Sequence, residues 1–166
     1  DKEGNVVDKW TSTKEPHIVN GLEENQKYKL VEITAPYGYE LTEEIEFVVT
    51  TDKETQLVEM KDMPILKDIK VIKIDSKTKE IIKEKFSFGI YEDEECNNLI
   101  KEVKSSKADG YVVFEDLRYG TYYIKETKAP SGYEVSNKIV KIEINDNGVF
   151  ADDGELTEND NVYSFE

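Results

Sequence analysis

The chain has 166 residues, of which 37 are Asp or Glu and 22 are Lys or Arg, so its formal net charge is -15. Such acidity repels phosphate backbones and anionic membrane faces, which excludes nucleic acid and lipid as partners. No apolar run approaches the roughly 18 residues that cross a bilayer, so we expect no membrane insertion within this segment. The length fits one ordinary domain or two small ones, and we interpret the segment as a piece of a longer protein.

Short stretches of alternating apolar and polar residues predict β-strands along the chain. Residues 44–49 and 140–144 show the pattern clearly, and no helical period is kept for long. Glycine-containing turns separate the runs, as at residues 107–110 and 145–148. Residues 76–85 offer too little apolar surface for a packed helix, so we interpret them as a loop. The sequence therefore predicts an all-β fold.

The chain contains an internal repeat. Residues 28–40 recur as residues 122–134 without a gap, so that Glu126 lies 94 positions after Glu32. The turns and strands around the motif recur in the same order, which predicts two copies of one β-domain. We expect the domains to span residues 1–64 and 65–166.

The two copies differ in their ends. The second copy has two opening strands, near residues 69–74 and 86–91, that the first copy lacks. The first copy runs on through a closing strand at residues 56–62, whereas the chain stops inside the corresponding strand of the second copy, at residues 161–166. The first copy therefore lacks its opening strands, and the second copy lacks the end of its closing strand.

The repeated motif is Tyr-x-x-x-Glu-x-x-Ala-Pro-x-Gly-Tyr, and in the second copy it follows a Lys-Val-Ile-Lys-Ile-Asp strand and a Phe-x-Phe-x-Ile-Tyr strand. This combination resembles the Cna B-type (SpaA-like, prealbumin-like) domains of Gram-positive surface adhesins and pilins. The resemblance covers nearly the whole chain and implies tandem Greek-key β-sandwiches, immunoglobulin-like or prealbumin-like, on the bacterial cell wall. Many members of this family form an isopeptide bond from Lys to Asn or Asp by themselves, promoted by the motif's Glu, and the resemblance implies such a bond here.

The resemblance assigns roles to individual residues. The isopeptide-promoting carboxyl falls on Glu32 in the first copy and on Glu126 in the second. The reactive amine falls on Lys70, with Lys73 as the alternative, and the first copy's acceptor falls on Asp62. We expect both motif Glu side chains to point into their cores, and Lys70 to lie beside Glu126.

Neither copy holds a complete set of Lys, Glu and Asp or Asn. The second copy's acceptor is expected just past Glu166, and the first copy's lysine before Asp1. Within the numbered sequence the first acceptors to examine for the second copy are Asn159, Asp160 and Asn161. Two further glutamates, Glu40 and Glu134, are expected to face solvent.

Isopeptide chemistry explains why these residue types are needed. The amine must be neutral to act as a nucleophile, and burial among apolar residues lowers the pKa of a lysine. Burial raises the pKa of a carboxyl, so that it can stay protonated and shuttle protons as the leaving group departs. On pattern alone the alternative is a set of solvated residues on the polar faces of half-buried strands.

Other chemistry has little support in the sequence. His17 is the only histidine and Cys96 the only cysteine, so a disulfide within the chain, a cysteine-based zinc site and a histidine-based triad are excluded. The acidic stretch 152–161 departs from the order of an EF-hand, and we interpret it as a solvated loop. We expect no cofactor, no metal and no enzymatic turnover beyond a single self-cross-linking event.

The sequence therefore predicts a stalk module of a cell-wall-anchored surface adhesin. Its partners are the neighbouring domains of the same surface protein, with the host extracellular matrix engaged through other domains. One alternative is a sortase-polymerised pilin subunit. Another is a sandwich that binds host protein or glycan through exposed aromatic residues such as Trp10, Tyr37 or Tyr119.

Overall fold

The computed structural model describes residues 1–52, 55–153, 156 and 161–166. These residues form two compact units, Asp1–Pro64 and Ile65–Glu166. Every regular element within the described ranges is a β-strand, which confirms the all-β prediction. In the same ranges we find no helix long and apolar enough to cross a membrane.

Two of the strands belong to the first unit, β1 (Lys27–Leu30) and β2 (Ile45–Val48). The strands of the second unit are β3 (Lys67–Lys73), β4 (Ser87–Tyr91), β5 (Leu99–Lys104), β6 (Tyr111–Leu117), β7 (Gly120–Lys128), β8 (Ile139–Asn145), β9 (Gly148–Ala151) and β10 (Val162–Phe165).

The second unit is a sandwich of two sheets. One sheet has the order β5-β4-β7-β8-β9 and is antiparallel throughout. The other has the order β10-β3-β6, with β10 parallel and β6 antiparallel to β3. The first and last strands of the unit are therefore hydrogen-bonded neighbours.

Apolar side chains from both sheets fill the space between them, because alternate residues of each strand point inward. The core cluster consists of Ile69, Val71, Phe86, Phe88, Ile90, Val112, Phe114, Leu117, Ile124, Val140, Ile142, Ile144, Leu156, Tyr163 and Phe165.

In the first unit, strand formation follows the availability of partners. Strand β1 pairs with β2 as β7 pairs with β8, and Tyr28 faces Phe47 as Tyr122 faces Ile142. Residues 5–10 and 17–23, the counterparts of β5 and β6, form no strand. In the second unit those strands pair with β4 and β3, which have no counterpart within residues 1–64.

The closing strand predicted at residues 56–62 is absent for the same reason. Its counterpart β10 pairs with β3, and residues 55–63 have no such partner and form no strand. Among the described residues of the first unit, Tyr28 is the only buried large apolar side chain. A two-stranded sheet alone buries too little surface to form a core.

Candidate functional site

A lysine and a glutamate meet inside the second unit's sandwich. Along β3 the inward-facing residues are Ile69, Val71 and Lys73, and Lys73 is only 4% exposed. Glu126 on β7 is 1% exposed, and its Oε1 lies 3.2 Å from the Nζ of Lys73. Because two buried charges are tolerated only when paired, their proximity is a requirement of the fold.

The expectation that Lys70 lies beside Glu126 is wrong. Lys70 is half-buried on the opposite side of β3, where its Nζ lies 4.0 Å from the centre of the Tyr111 ring. The local sequence is ambiguous, since Ile69 and Val71 favour one face while Ile72 favours the other. Only the pairing with the neighbouring strands decides which lysine points inward.

The carboxyl of Glu126 is held by one backbone group. The N–H of Ser136 donates to Oε2 at 2.8 Å, while Oε1 makes no hydrogen bond and faces Lys73 at ion-pair distance. The ring of Phe165, which is fully buried, lies 5.0 Å from the Nζ of Lys73. The pair is therefore oriented by the backbone and shielded from water by an aromatic ring.

The first copy builds the same carboxyl anchor without the same burial. The N–H of Thr42 donates to Oε2 of Glu32 at 2.7 Å, ten residues along the chain as in the second copy. Glu32 is only half-buried, so the expectation that it lies in a core is wrong. The reason is that residues 1–64 supply no counterparts of β3 and β4 to cover it.

Asp62 binds the same threonine as this first carboxyl. The Oγ1 of Thr42 donates to Oδ1 of Asp62 at 3.2 Å, and the same threonine carries the N–H bound to Glu32. Asp62 is exposed. In the first copy the motif carboxyl and the predicted acceptor thus both bind Thr42, whereas in the second copy the motif carboxyl faces a lysine.

Of the three candidate acceptors at the end of the chain, Asn159 and Asp160 lie outside the described residues, as do positions 154, 155, 157 and 158 of the acidic stretch. Asn161 donates from Nδ2 to the carbonyl of Asp68 at 3.1 Å, and its own carbonyl accepts the N–H of Lys70. It is therefore engaged at the start of β10, away from Lys73. Within the described residues no three His, Cys, Asp or Glu side chains form a metal-binding group.

The chain matches the family described as SpaA, prealbumin-like fold domain, over residues 1–64 and 67–155. The chain belongs to this family. The match confirms the resemblance stated from the sequence motif, and the second unit shows the sandwich that this membership implies. No curated protein matches the chain.

Solved structures with a similar fold include the Bacillus anthracis TIE protein, which is 26% identical with a TM-score of 0.57, over 84% of this chain and 24% of its own. The T6 backbone pilin of serotype M6 Streptococcus pyogenes is 28% identical with a TM-score of 0.43, over 61% of this chain and 18% of its own. The group B streptococcus pilus 2b backbone protein is 22% identical with a TM-score of 0.48, over 73% of this chain and 46% of its own. This SpaA-family chain spans less than half the length of each.

The remaining predicted residues of the SpaA-family chain lie at its surface. Glu40 and Glu134 are exposed. Of the aromatic residues considered for ligand binding, Tyr37 is 69% exposed, whereas Tyr119 packs against the core of the second unit. Trp10 stacks on His17 with ring centres 4.2 Å apart.

Proposed function

We propose that this chain is a load-bearing stalk segment of an extracellular, cell-wall-anchored Gram-positive surface protein, in which Lys73 is the amine of an isopeptide bond promoted by Glu126. The observation that carries the proposal is the buried contact between Lys73 Nζ and Glu126 Oε1, at 3.2 Å. Membership of the SpaA family supports the surface location. The partners are the neighbouring domains of the same protein.

The chemistry needs an uncharged amine and a carboxyl that can carry a proton. Lys73 and Glu126 are both almost completely buried and lie 3.2 Å apart, so a proton can pass directly between them without crossing water. The amine then attacks the carbonyl carbon of an acceptor side chain. Glu126 passes a proton from the attacking nitrogen to the leaving group, so that the new amide C–N bond forms as the old C–N bond breaks and ammonia departs from Asn, or as a C–O bond breaks and water departs from Asp.

The last strand is the natural carrier of the acceptor. In the parallel pairing of β10 with β3, Phe165 is the partner of Lys73. Tyr163 and Phe165 both point into the core, so the next inward-facing position of the same strand is the one that follows Glu166. A side chain there would lie on the same face as the buried pair.

A bond at this place would tie the first strand of the second unit to its last. The chain-entropy model gives a long-loop cross-link a stabilisation on the order of 4 kcal/mol, and an amide does not depend on redox state. Because β3 and β10 are adjacent and parallel, the bond would also resist their separation under tension. This property is what a stalk requires.

The test adds one residue to the chain. A chain carrying Asn directly after Glu166 is expected to lose the mass of one ammonia, and proteolysis should release a peptide that joins the Asn to Lys73. Matched controls carry Ala at the added position, or carry Lys73→Ala. The variant Lys70→Ala should still react. Loss of ammonia in the Lys73→Ala chain, or no loss in the parent chain with added Asn, would overturn the proposal.

A further inference from the structure

The last strand of the second unit is held along one edge only. Strand β10 pairs with β3 over four residues and has no partner on its other side within the described residues. Backbone hydrogen bonds therefore hold β10 from one side. Side-chain contacts add to its placement.

Three side chains supply such a contact, and we call them the clasp: Lys138, Asp153 and Tyr163. The hydroxyl of Tyr163 accepts a hydrogen bond from Lys138 Nζ at 2.9 Å and donates to Oδ2 of Asp153 at 2.5 Å. Lys138 and Asp153 also form an ion pair with each other. The clasp joins β10 to the segment before β8 and to the residues after β9.

The clasp is continuous with the Lys73–Glu126 pair. Lys138 Nζ lies 5.5 Å from the centre of the Phe165 ring, and Lys73 Nζ lies 5.0 Å from the same ring. Lys138 also follows, by two residues, the serine whose N–H anchors the carboxyl of Glu126. One buried aromatic ring and one short segment therefore connect the two clusters.

The clasp is not a second cross-linking site. The side chains of Lys138 and Asp153 are 40% and 33% exposed, so water stabilises both charges. Burial raises the pKa of Asp153, but the hydrogen bonds from Lys138 and Tyr163 lower it and have the larger combined effect. The pKa of Asp153 is therefore below its ordinary value. Burial, aided by the hydrogen bond to Asp153, raises the pKa of Tyr163 to about 12. The lysine stays protonated and cannot act as a nucleophile.

We propose that Tyr163, held by Lys138 and Asp153, is a positioning residue that keeps β10 and Phe165 in register over the Lys73–Glu126 pair. This inference rests on the proposed function, because an acceptor carried by β10 reaches Lys73 only in this register. Tyr163 is 7% exposed, and its ring contacts that of Phe165 edge-on at 6.2 Å. A buried phenol needs partners for its hydroxyl, and the clasp supplies two.

The first test uses the unextended chain and does not depend on cross-linking. The amide of Ile74 donates to the carbonyl of Phe165 at 3.0 Å, so its hydrogen exchange reports the attachment of β10. In Tyr163→Phe, which keeps the ring, exchange at Ile74 is expected to accelerate by about tenfold, while exchange at Ile124 on β7 stays unchanged. Equal exchange at Ile74 in both chains would overturn the inference.

The second test measures reaction rate in the chain with Asn added after Glu166. Tyr163→Phe is expected to lose ammonia about tenfold more slowly than the parent while reaching the same final mass, because misplaced reactants approach less often. The control is Ile144→Val, a core change at the far end of β8. The two variants are compared at temperatures at which the same fraction of each is folded. Lys138→Arg should react close to the parent rate, because it keeps the donor.

The outcomes separate the two proposals. If the parent chain with added Asn never loses ammonia, the proposed function fails, and the exchange rate of Ile74 still decides whether the clasp holds β10. If the parent reacts and Tyr163→Phe reacts as fast as the Ile144→Val control, the positioning role is overturned while the cross-link stands.

Discussion

Replacing Lys73 by Met should reveal how strongly the buried pair constrains the second unit. Methionine is similar in length to lysine, so packing changes little, but Glu126 keeps its burial and loses its partner. Oε1 of Glu126 lies 3.2 Å from Lys73 Nζ, and the remaining contact is the single N–H of Ser136 on Oε2. Removing one partner of a buried ion pair costs about 3–5 kcal/mol.

The matched control lies three residues earlier on the same strand. Lys70 is half-buried, and its ammonium lies 4.0 Å from the centre of the Tyr111 ring, a contact worth about 0.5–1 kcal/mol. Lys70→Met should therefore cost less than about 1 kcal/mol. At about 4 °C per kcal/mol for a domain of this size, Lys73→Met should lower the melting temperature by about 12 °C or more.

The assay is urea and thermal unfolding of the single and double variants, with circular dichroism as the signal that monitors unfolding. Combining Lys73→Met with Glu126→Gln removes the unpaired charge and keeps an acceptor for the N–H of Ser136, so at least about 2 kcal/mol should be recovered. Equal costs for Lys70→Met and Lys73→Met would refute the reasoning.

Three further outcomes are expected for the second unit. Gly110→Ala should cost about 1–3 kcal/mol in thermal unfolding, because the φ of Gly110 is +68° and an added Cβ would lie 2.4 Å from a neighbouring side chain. Gly132→Ala should cost less, because Gly132 also has a positive φ, +84°, but open space around the added Cβ. Ser105→Ala should cost about 1–3 kcal/mol in urea unfolding, since it leaves a buried backbone N–H without its acceptor. Backbone N–H groups and then the hydroxyl of Tyr133 lower the pKa of Asp75 from 3.8 to about 2. The carboxylate therefore stabilises the fold at pH values above the pKa that Asp75 has in the unfolded chain. That stability is lost as the pH falls toward 2, and acid titration of Tyr133→Phe should show a smaller loss.

The repeat and the alternation of apolar residues were enough to predict the all-β fold and the family. The ungapped motif also fixes the backbone anchor, since Thr42 and Ser136 lie ten residues after Glu32 and Glu126 respectively. These features are local: they depend on turn geometry and strand period within one continuous segment. Sequence reasoning reaches them because no distant partner is involved.

Features that depend on distant partners could not be predicted in the same way. The inward-facing lysine on β3 is chosen by pairing with β6 and β10, and the apolar residues around it support both faces. The clasp unites Lys138, Asp153 and Tyr163, which no spacing rule relates. The signal that the sequence carries is Tyr163, an aromatic residue within the strand predicted at residues 161–166, because a buried phenol hydroxyl requires a partner.

The two copies separate the contribution of the motif from that of the surrounding fold. Both motif carboxyls accept a backbone N–H at nearly the same distance, 2.7 Å for Glu32 and 2.8 Å for Glu126. Only Glu126 is removed from water, because an opposing sheet covers it. The motif therefore orients the carboxyl, and the completed sandwich removes it from water. In the proposed reaction, strands β3 and β10, which lie outside the repeated motif, therefore supply the amine and the place for the acceptor that the motif's glutamate requires.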